Sequence, residues 1–143
     1  MRLVRSLGLA ALLATVAAGG GYAQSDLEVR QKKQELELID TAKETNKECE
    51  SEIAIAFDWT NVPADRISSF SPVSYCDNML YSVRRICGDK DGKAAVKQQI
   101  ESISCGFGAE RTMSLKDGKL DYKIQFDSSN DADFAYEYLM NHL

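Results

Sequence analysis

The stretch that decides the fold is Ser71 to Gly88, SPVSYCDNMLYSVRRICG, because it places two cysteines on one predicted helix. Ser71 suits the N-cap, Pro72 the first helical position and Gly88 the stop after the last turn. Between them, apolar residues recur at helical spacing. This stripe consists of Val73, Cys76, Leu80, Val83 and Cys87, and Met79 and Ile86 widen it.

Cys76 and Cys87 cannot bond to each other if this helix is continuous. Eleven residues rise about 16 Å along a helix axis, whereas a disulfide needs Cα atoms within about 7 Å. Two pairings remain: Cys49–Cys87 with Cys76–Cys105, or Cys49–Cys76 with Cys87–Cys105. We favour the first, because a second helix predicted at 93–102 would fold back and bring Cys105 beside the start of the first helix.

The four cysteines are expected to form structural disulfides rather than a metal site. Their number is even, and their intervals of 27, 11 and 18 residues contain no CxxC pair. The only histidine, His142, lies far from them in the chain. The sequence therefore predicts no metal and no cofactor.

The N-terminus, MRLVRSLGLAALLATVAAGGGYA, has the pattern of a secretory signal peptide. Arg2 and Arg5 precede an apolar run from Leu7 to Ala18, and small residues lead to a cleavage site after Ala23. The run has 12 residues, whereas a membrane span needs about 20. We expect export without a membrane anchor, to the periplasm or the medium, where disulfides persist.

Charge and domain organisation follow from that cleavage. Arg2 and Arg5 are the only charged residues of the leader, so its removal changes the formal charge from −5 to −7. An acidic chain without a basic cluster argues against nucleic acid as a partner. We predict a signal peptide at 1–23, a helical arm at 24–47 with a patchy apolar face, and a disulfide-stabilised domain at 48–143.

Alternating patterns predict the sheet. Ile53, Ile55, Phe57 and Trp59 alternate with smaller or polar residues, as in a half-buried strand. Asp117-Gly118 indicates a two-residue hairpin turn that sets Leu115 opposite Leu120, Met113 opposite Tyr122, Ser114 opposite Asp121 and Thr112 opposite Lys123. A further strand at Ile103, Cys105 and Phe107 would join this hairpin through a loop at 108–110, forming an antiparallel meander whose inner face is apolar except at Arg111.

The expected fold class is α+β. An antiparallel sheet of three to four strands is covered by helices at 72–87, 93–102 and 130–143, with an N-terminal helix and two disulfides. We interpret the segment Asp89-Lys90-Asp91-Gly92 as a turn between the first two of these helices.

The sequence shows no catalytic constellation. His142 is the penultimate residue, a poor place for a base that must be held in position. Asp58 and Trp59, a carboxylate beside a large aromatic ring at a strand end, are the candidate ligand contacts. We therefore expect an exported, non-catalytic interaction protein that binds a protein partner as an inhibitor, an immunity-like factor or an assembly accessory.

Two alternatives remain open. One is a hydrolase of envelope polymers that uses two carboxylates about 5–10 Å apart, drawn from Asp58, Asp77, Asp127 and Asp131. The other is a small-ligand carrier with an apolar pocket between sheet and helices. No pattern in the sequence indicates an oligomeric state.

Overall fold

The computed structural model describes residues 20–143, with side chains from Ser25 onward. The expected signal peptide therefore lies mostly outside the described residues. The described chain forms five helices and one four-stranded sheet, which confirms the α+β class. The helices are α1 (Gly20–Cys49), α2 (Ala64–Ser69), α3 (Pro72–Ile86), α4 (Lys90–Gln99) and α5 (Asp131–His142). The strands are β1 (Ala54–Asp58), β2 (Ser102–Phe107), β3 (Thr112–Lys116) and β4 (Lys119–Ile124).

The hairpin of β3 and β4 has the predicted register. Leu115 pairs with Leu120, and Met113 pairs with Tyr122. Asp117 and Gly118 both have positive φ angles, of 50° and 77°, as a type I′ turn requires. A two-residue turn with an apolar face on each strand thus defines the register without help from the rest of the molecule.

The predicted antiparallel meander is wrong, because the sheet is mixed. Its strand order is β1-β2-β4-β3, and both β1 and β4 run parallel to β2. The loop after Phe107 therefore carries the chain past the site of β4 to the far edge. The reason lies in burial: Leu120, Tyr122 and Ile124 of β4 are all fully buried, so β4 takes an inner position and the more exposed β3 takes the edge.

The disulfides join Cys49 to Cys87 and Cys76 to Cys105, the pairing that helix geometry favoured. Cys105 lies on the central strand β2 and Cys76 on α3, so this bond fixes α3 onto the sheet. Cys87 follows α3 directly and bonds the last residue of α1. All four sulfurs belong to residues that are 0–1% exposed, within the main hydrophobic core.

Helix α3 matches the predicted span except that it ends one residue earlier, at Ile86, whereas α4 both begins and ends three residues earlier than expected. The predicted turn at 89–92 is instead the start of α4, where the Asp89 carboxylate accepts a hydrogen bond from the Gly92 N–H (2.7 Å). Such an N-cap bond stabilises a first turn. Gly92 is required for packing, because a Cβ there would lie 1.8 Å from the Ile86 carbonyl oxygen.

Among the described residues, helices cover one face of the sheet and leave the other open. The covered face carries the buried Ile103, Cys105, Leu120 and Tyr122. The opposite face carries small and charged side chains and is exposed at Ala54, Ala56, Thr112 and Ser114. Helix α1 packs mainly against α3, and its C-terminal end also contacts the start of β1 through Asn46 and Ile53. In the part of the chain that is described, no helix is both long and apolar enough to cross a membrane.

Candidate functional site

Asp58 is the last residue of β1, and its side chain lies on the sheet face that the described helices leave uncovered. One carboxylate oxygen accepts hydrogen bonds from the Thr60 hydroxyl (2.5 Å) and the Thr60 N–H (3.0 Å), and the other lies 3.7 Å from Lys123 Nζ. The Thr60 hydrogen bonds, helped by Lys123, lower the pKa of Asp58. Gly106 lies between Asp58 and Lys123, and a Cβ there would be 3.0 Å from Lys123 Nζ, so the missing side chain permits the pair.

Trp59 makes different contacts from its neighbour Asp58. Its ring lies 4.6 Å from the ring of Phe57, centre to centre, and both residues are half-buried at the margin of the core. The indole Nε1 is buried and has no hydrogen-bond partner among the described residues. The structure therefore places the two predicted contact residues at the end of one edge strand, with Asp58 paired to Lys123 and Trp59 packed on Phe57.

The outer edge of β1 is open over two residues. Just before the strand, the Asn46 side chain accepts from the Ile53 N–H (2.7 Å) and donates to the Ile53 carbonyl (3.0 Å). Ala54, in contrast, donates its N–H towards β2, to the Glu101 carbonyl. Main-chain groups alternate in direction along a strand, so those of Ile55 and Phe57 point outward. Among the described residues they have no hydrogen-bond partner.

The opposite edge of the sheet is better protected. The Leu115 N–H of β3 donates to the Tyr138 hydroxyl of α5 (2.8 Å), and exposed Lys116 ends that strand. Lysines and covering groups are the usual means of preventing edge-to-edge pairing. Strand β1 has neither proline nor lysine, so its edge at Ile55 and Phe57 lacks these protections.

A buried polar cluster joins α5 to the sheet. Asp131 is 5% exposed, accepts a short hydrogen bond from the Tyr122 hydroxyl and lies 3.5 Å from Arg111 Nη1. The same Arg111 nitrogen donates to the Ser129 carbonyl (2.6 Å). Burial, together with the Asp131 carboxylate, raises the pKa of Tyr122. Asp131 is thus fixed by contacts within the fold, and the nearby Arg111 guanidinium compensates its negative charge.

The carboxylates considered for hydrolysis lie on separate elements. Asp58 is paired with Lys123 at the end of β1, Asp127 lies 3.9 Å from Arg66, and Asp131 is in the buried cluster. Asp77 lies on α3 on the side that faces α1, where burial raises its pKa. A polar cleft of about 470 Å³ is lined by Asp131 and Asp133, together with Ser71, Ser74, Tyr75 and Asn78, and of the four acids it includes only Asp131.

Helix α1 carries a small set of exposed apolar side chains, in addition to the edge of β1. Val29, Leu36 and Ile39 are 68%, 55% and 46% exposed; Val29 and Leu36 lie opposite the buried Leu38 and Thr45, and Ile39 lies beside them. Charged residues surround them, with ion pairs from Lys32 to Glu35 and from Lys43 to Asp40. These three side chains are spread along the helix and separated by charged residues, whereas the residues of the β1 edge follow one another in a strand.

Comparison of the chain with protein-family models, with curated proteins and with solved structures finds no match. The candidate site is therefore inferred from the geometry of the described residues. Sequence reasoning missed Asn46 as the residue that covers the edge at Ile53, because no local pattern links the two. The sequence did identify Arg111 as the single charged residue on an apolar sheet face. A charge in such a place needs a partner of opposite charge, and in the structure that partner is Asp131.

Proposed function

We propose that this is an exported, non-catalytic interaction protein that binds a protein partner in the periplasm or outside the cell. The observation that supports it is the open edge of β1. The outward N–H and C=O groups of Ile55 and Phe57 offer an extended segment the same hydrogen bonds that a neighbouring strand would make. Half-exposed Ile55, Phe57 and Trp59 offer it apolar contacts.

Export is supported by the two disulfides and by the leader pattern. Both bonds lie in the core, and disulfides of this kind persist in oxidising compartments. The arginines and apolar run of residues 1–23 fit a signal peptide cleaved after Ala23. The mature protein would then meet its partner outside the cytoplasm.

A binding role is also supported by how the polar groups are used. Asp58, Asp127 and Asp131 are each close to a cation. The exposed His142 stacks on Tyr138, with ring centres 3.9 Å apart, and its Nδ1 lies 2.6 Å from the Tyr138 carbonyl oxygen. These contacts engage the polar groups within the fold, whereas the outward main-chain groups of Ile55 and Phe57 have no partner among the described residues.

The test is site-specific photo-crosslinking in the native host. A photoreactive residue replaces Ala56, which is exposed beside the open edge, or Ser114, which is also exposed on the same sheet face but lies on β3, whose Leu115 N–H is already bonded to Tyr138. We expect a discrete protein adduct from position 56 and not from position 114. Mass spectrometry should identify one segment of the partner as the site of attachment. Absence of an adduct at position 56, or the same adducts at both positions, would contradict the proposal.

A further inference from the structure

The open edge of β1 is complementary to itself. Resting on the proposed function, which makes this edge the binding surface, we infer that the strand it accepts is β1 of a second copy of this chain. The two strands run antiparallel about a two-fold axis at Ala56. The four-stranded sheets of the two copies then form one continuous sheet.

The hydrogen-bonding groups fit this arrangement. In an antiparallel pair, two residues that face each other with outward main-chain groups exchange both of their hydrogen bonds. A two-fold axis at Ala56 sets Ile55 opposite the partner's Phe57, and Phe57 opposite the partner's Ile55. All the outward groups that are free within β1 of either copy are then paired.

The two ends of the strand select this register. A shift towards the start of β1 would need the main-chain groups of Ile53, which Asn46 already occupies. A shift towards the end would need Trp59, which lies beyond the last strand residue, Asp58. The register centred on Ala56 is therefore the one that uses both free residues of both copies.

The side chains in this register are compatible on both faces. On the helix-covered face, Ile55 meets the partner's Phe57, an aliphatic-aromatic pair of the kind that stabilises antiparallel strands. On the open face, Asp58 lies opposite the partner's Ala54, and Ala56 lies opposite its own copy. No two like charges oppose each other within the paired strands, although the chain as a whole is acidic.

The test is cysteine crosslinking on the mature chain, residues 24–143, combined with sedimentation equilibrium. In the register centred on Ala56, the two Ala56 Cα atoms form a non-hydrogen-bonded pair about 4.5 Å apart, within disulfide range. The native cysteines are all paired, so the introduced thiol is the only reactive one. Ala54→Cys is the matched control, because exposed Ala54 lies on the same edge but away from the axis.

We expect a dimer in sedimentation, rapid disulfide formation between copies of Ala56→Cys, and slow formation in Ala54→Cys. A monomer at all concentrations, with no preferential crosslinking of Ala56→Cys, would overturn the inference. If position 56 then still photo-crosslinks to a segment of another protein in the host, the proposed function stands and only the self-pairing fails. If neither reaction occurs, both fail.

Discussion

Asn46 covers the main chain of Ile53 as a neighbouring strand would, accepting from its N–H at 2.7 Å and donating to its carbonyl at 3.0 Å. The same Asn46 oxygen accepts from the Ser51 hydroxyl (2.9 Å). The Asn46 side chain, near the end of α1, thus occupies the outward main-chain groups of Ile53, the residue just before β1. These groups cannot bond to a second strand, which limits where such a strand can pair.

We expect Asn46→Ala to lower the free energy of unfolding by about 1–3 kcal/mol, because it leaves partly buried main-chain groups without partners. Chemical denaturation measures the loss. Asn141→Ala is the control, since the one contact of the Asn141 side chain with a described residue is to the exposed Glu137 carbonyl. Equal stability of the two variants would show that the contact with Ile53 is dispensable.

Burial of Tyr122, together with its contact with Asp131, should make stability fall at alkaline pH. The pKa of Tyr122 is raised in the folded state, so the native chain keeps this phenol protonated while the unfolded chain ionises near the ordinary value of 10.0. The stability linked to the proton is therefore complete below pH 10 and is lost as pH rises above it.

Tyr122→Phe should accordingly be less stable than the parent by about 1–2 kcal/mol at neutral pH, because Asp131 loses a buried hydrogen bond. The difference should shrink as the pH rises past the ordinary tyrosine pKa. Urea denaturation at a series of pH values measures both effects. A difference that stays constant with pH would contradict the assignment.

Asp77 should act in the opposite direction, as a destabilising charge. Burial raises its pKa, assisted by Glu37 and opposed by the Thr41 hydroxyl and by Arg84, and its buried Oδ1 lacks a hydrogen-bond partner among the described residues. With a raised folded pKa, the associated stability is present in acid and lost as pH rises through that pKa.

We therefore expect Asp77→Asn to be more stable than the parent at neutral pH, by up to about 1 kcal/mol for a charge that is only partly desolvated. The gain should vanish in acid, where the parent carboxyl is also protonated. Thermal denaturation at the two pH values measures it. A variant that melts below the parent at neutral pH would show that the Asp77 charge is needed beside Arg84.

The two disulfides should contribute similar amounts. Their sequence separations are 38 and 29 residues, and loop entropy depends only on the logarithm of loop length, which gives a difference of about 0.2 kcal/mol. Each double variant, Cys49→Ala with Cys87→Ala or Cys76→Ala with Cys105→Ala, should lose about 2–5 kcal/mol. Unchanged melting of either variant without reductant would show that its bond has no structural role.

Local patterns predicted the elements that local chemistry determines. Ser71-Pro72 and Gly88 bound α3, Asp117-Gly118 set the hairpin register, and the rise of a helix excluded a bond between Cys76 and Cys87. Each of these conclusions depends on geometry within a few turns or a few residues. The same is true of β1, whose alternating residues predicted a half-buried strand.

What the sequence did not reveal is the order of strands that are distant in the chain. The alternation of Ile103, Cys105 and Phe107 is compatible with either β3 or β4 as the neighbour of β2, and the short loop after Phe107 favoured β3. The neighbour is β4 because β4 is the more buried of the two strands, and that burial depends on the whole core. The edge at Ile55 and Phe57 depends on the same global fact, because strand order determines which strand lies outermost.

The boundary of the N-terminal arm is open to a direct test by two truncations. Residues 25–33 of α1 are exposed or half-buried, whereas Leu38 and Thr45 are 4% and 0% exposed and Arg84 of α3 donates to the Thr45 hydroxyl (3.0 Å). We expect deletion of residues 24–33 to cost less than about 1 kcal/mol, the usual range for surface changes.

Deletion of residues 24–45 should cost much more, because burial of Leu38 alone stabilises the fold by about 2 kcal/mol and Arg84 would lose its hydroxyl partner. Calorimetry of both truncations, each retaining Cys49, compares their unfolding transitions with that of the chain of residues 24–143. If the longer deletion melts like the shorter one, residues 24–47 form a dispensable arm as the sequence predicts. If only the longer deletion loses stability, the second half of α1 belongs to the core.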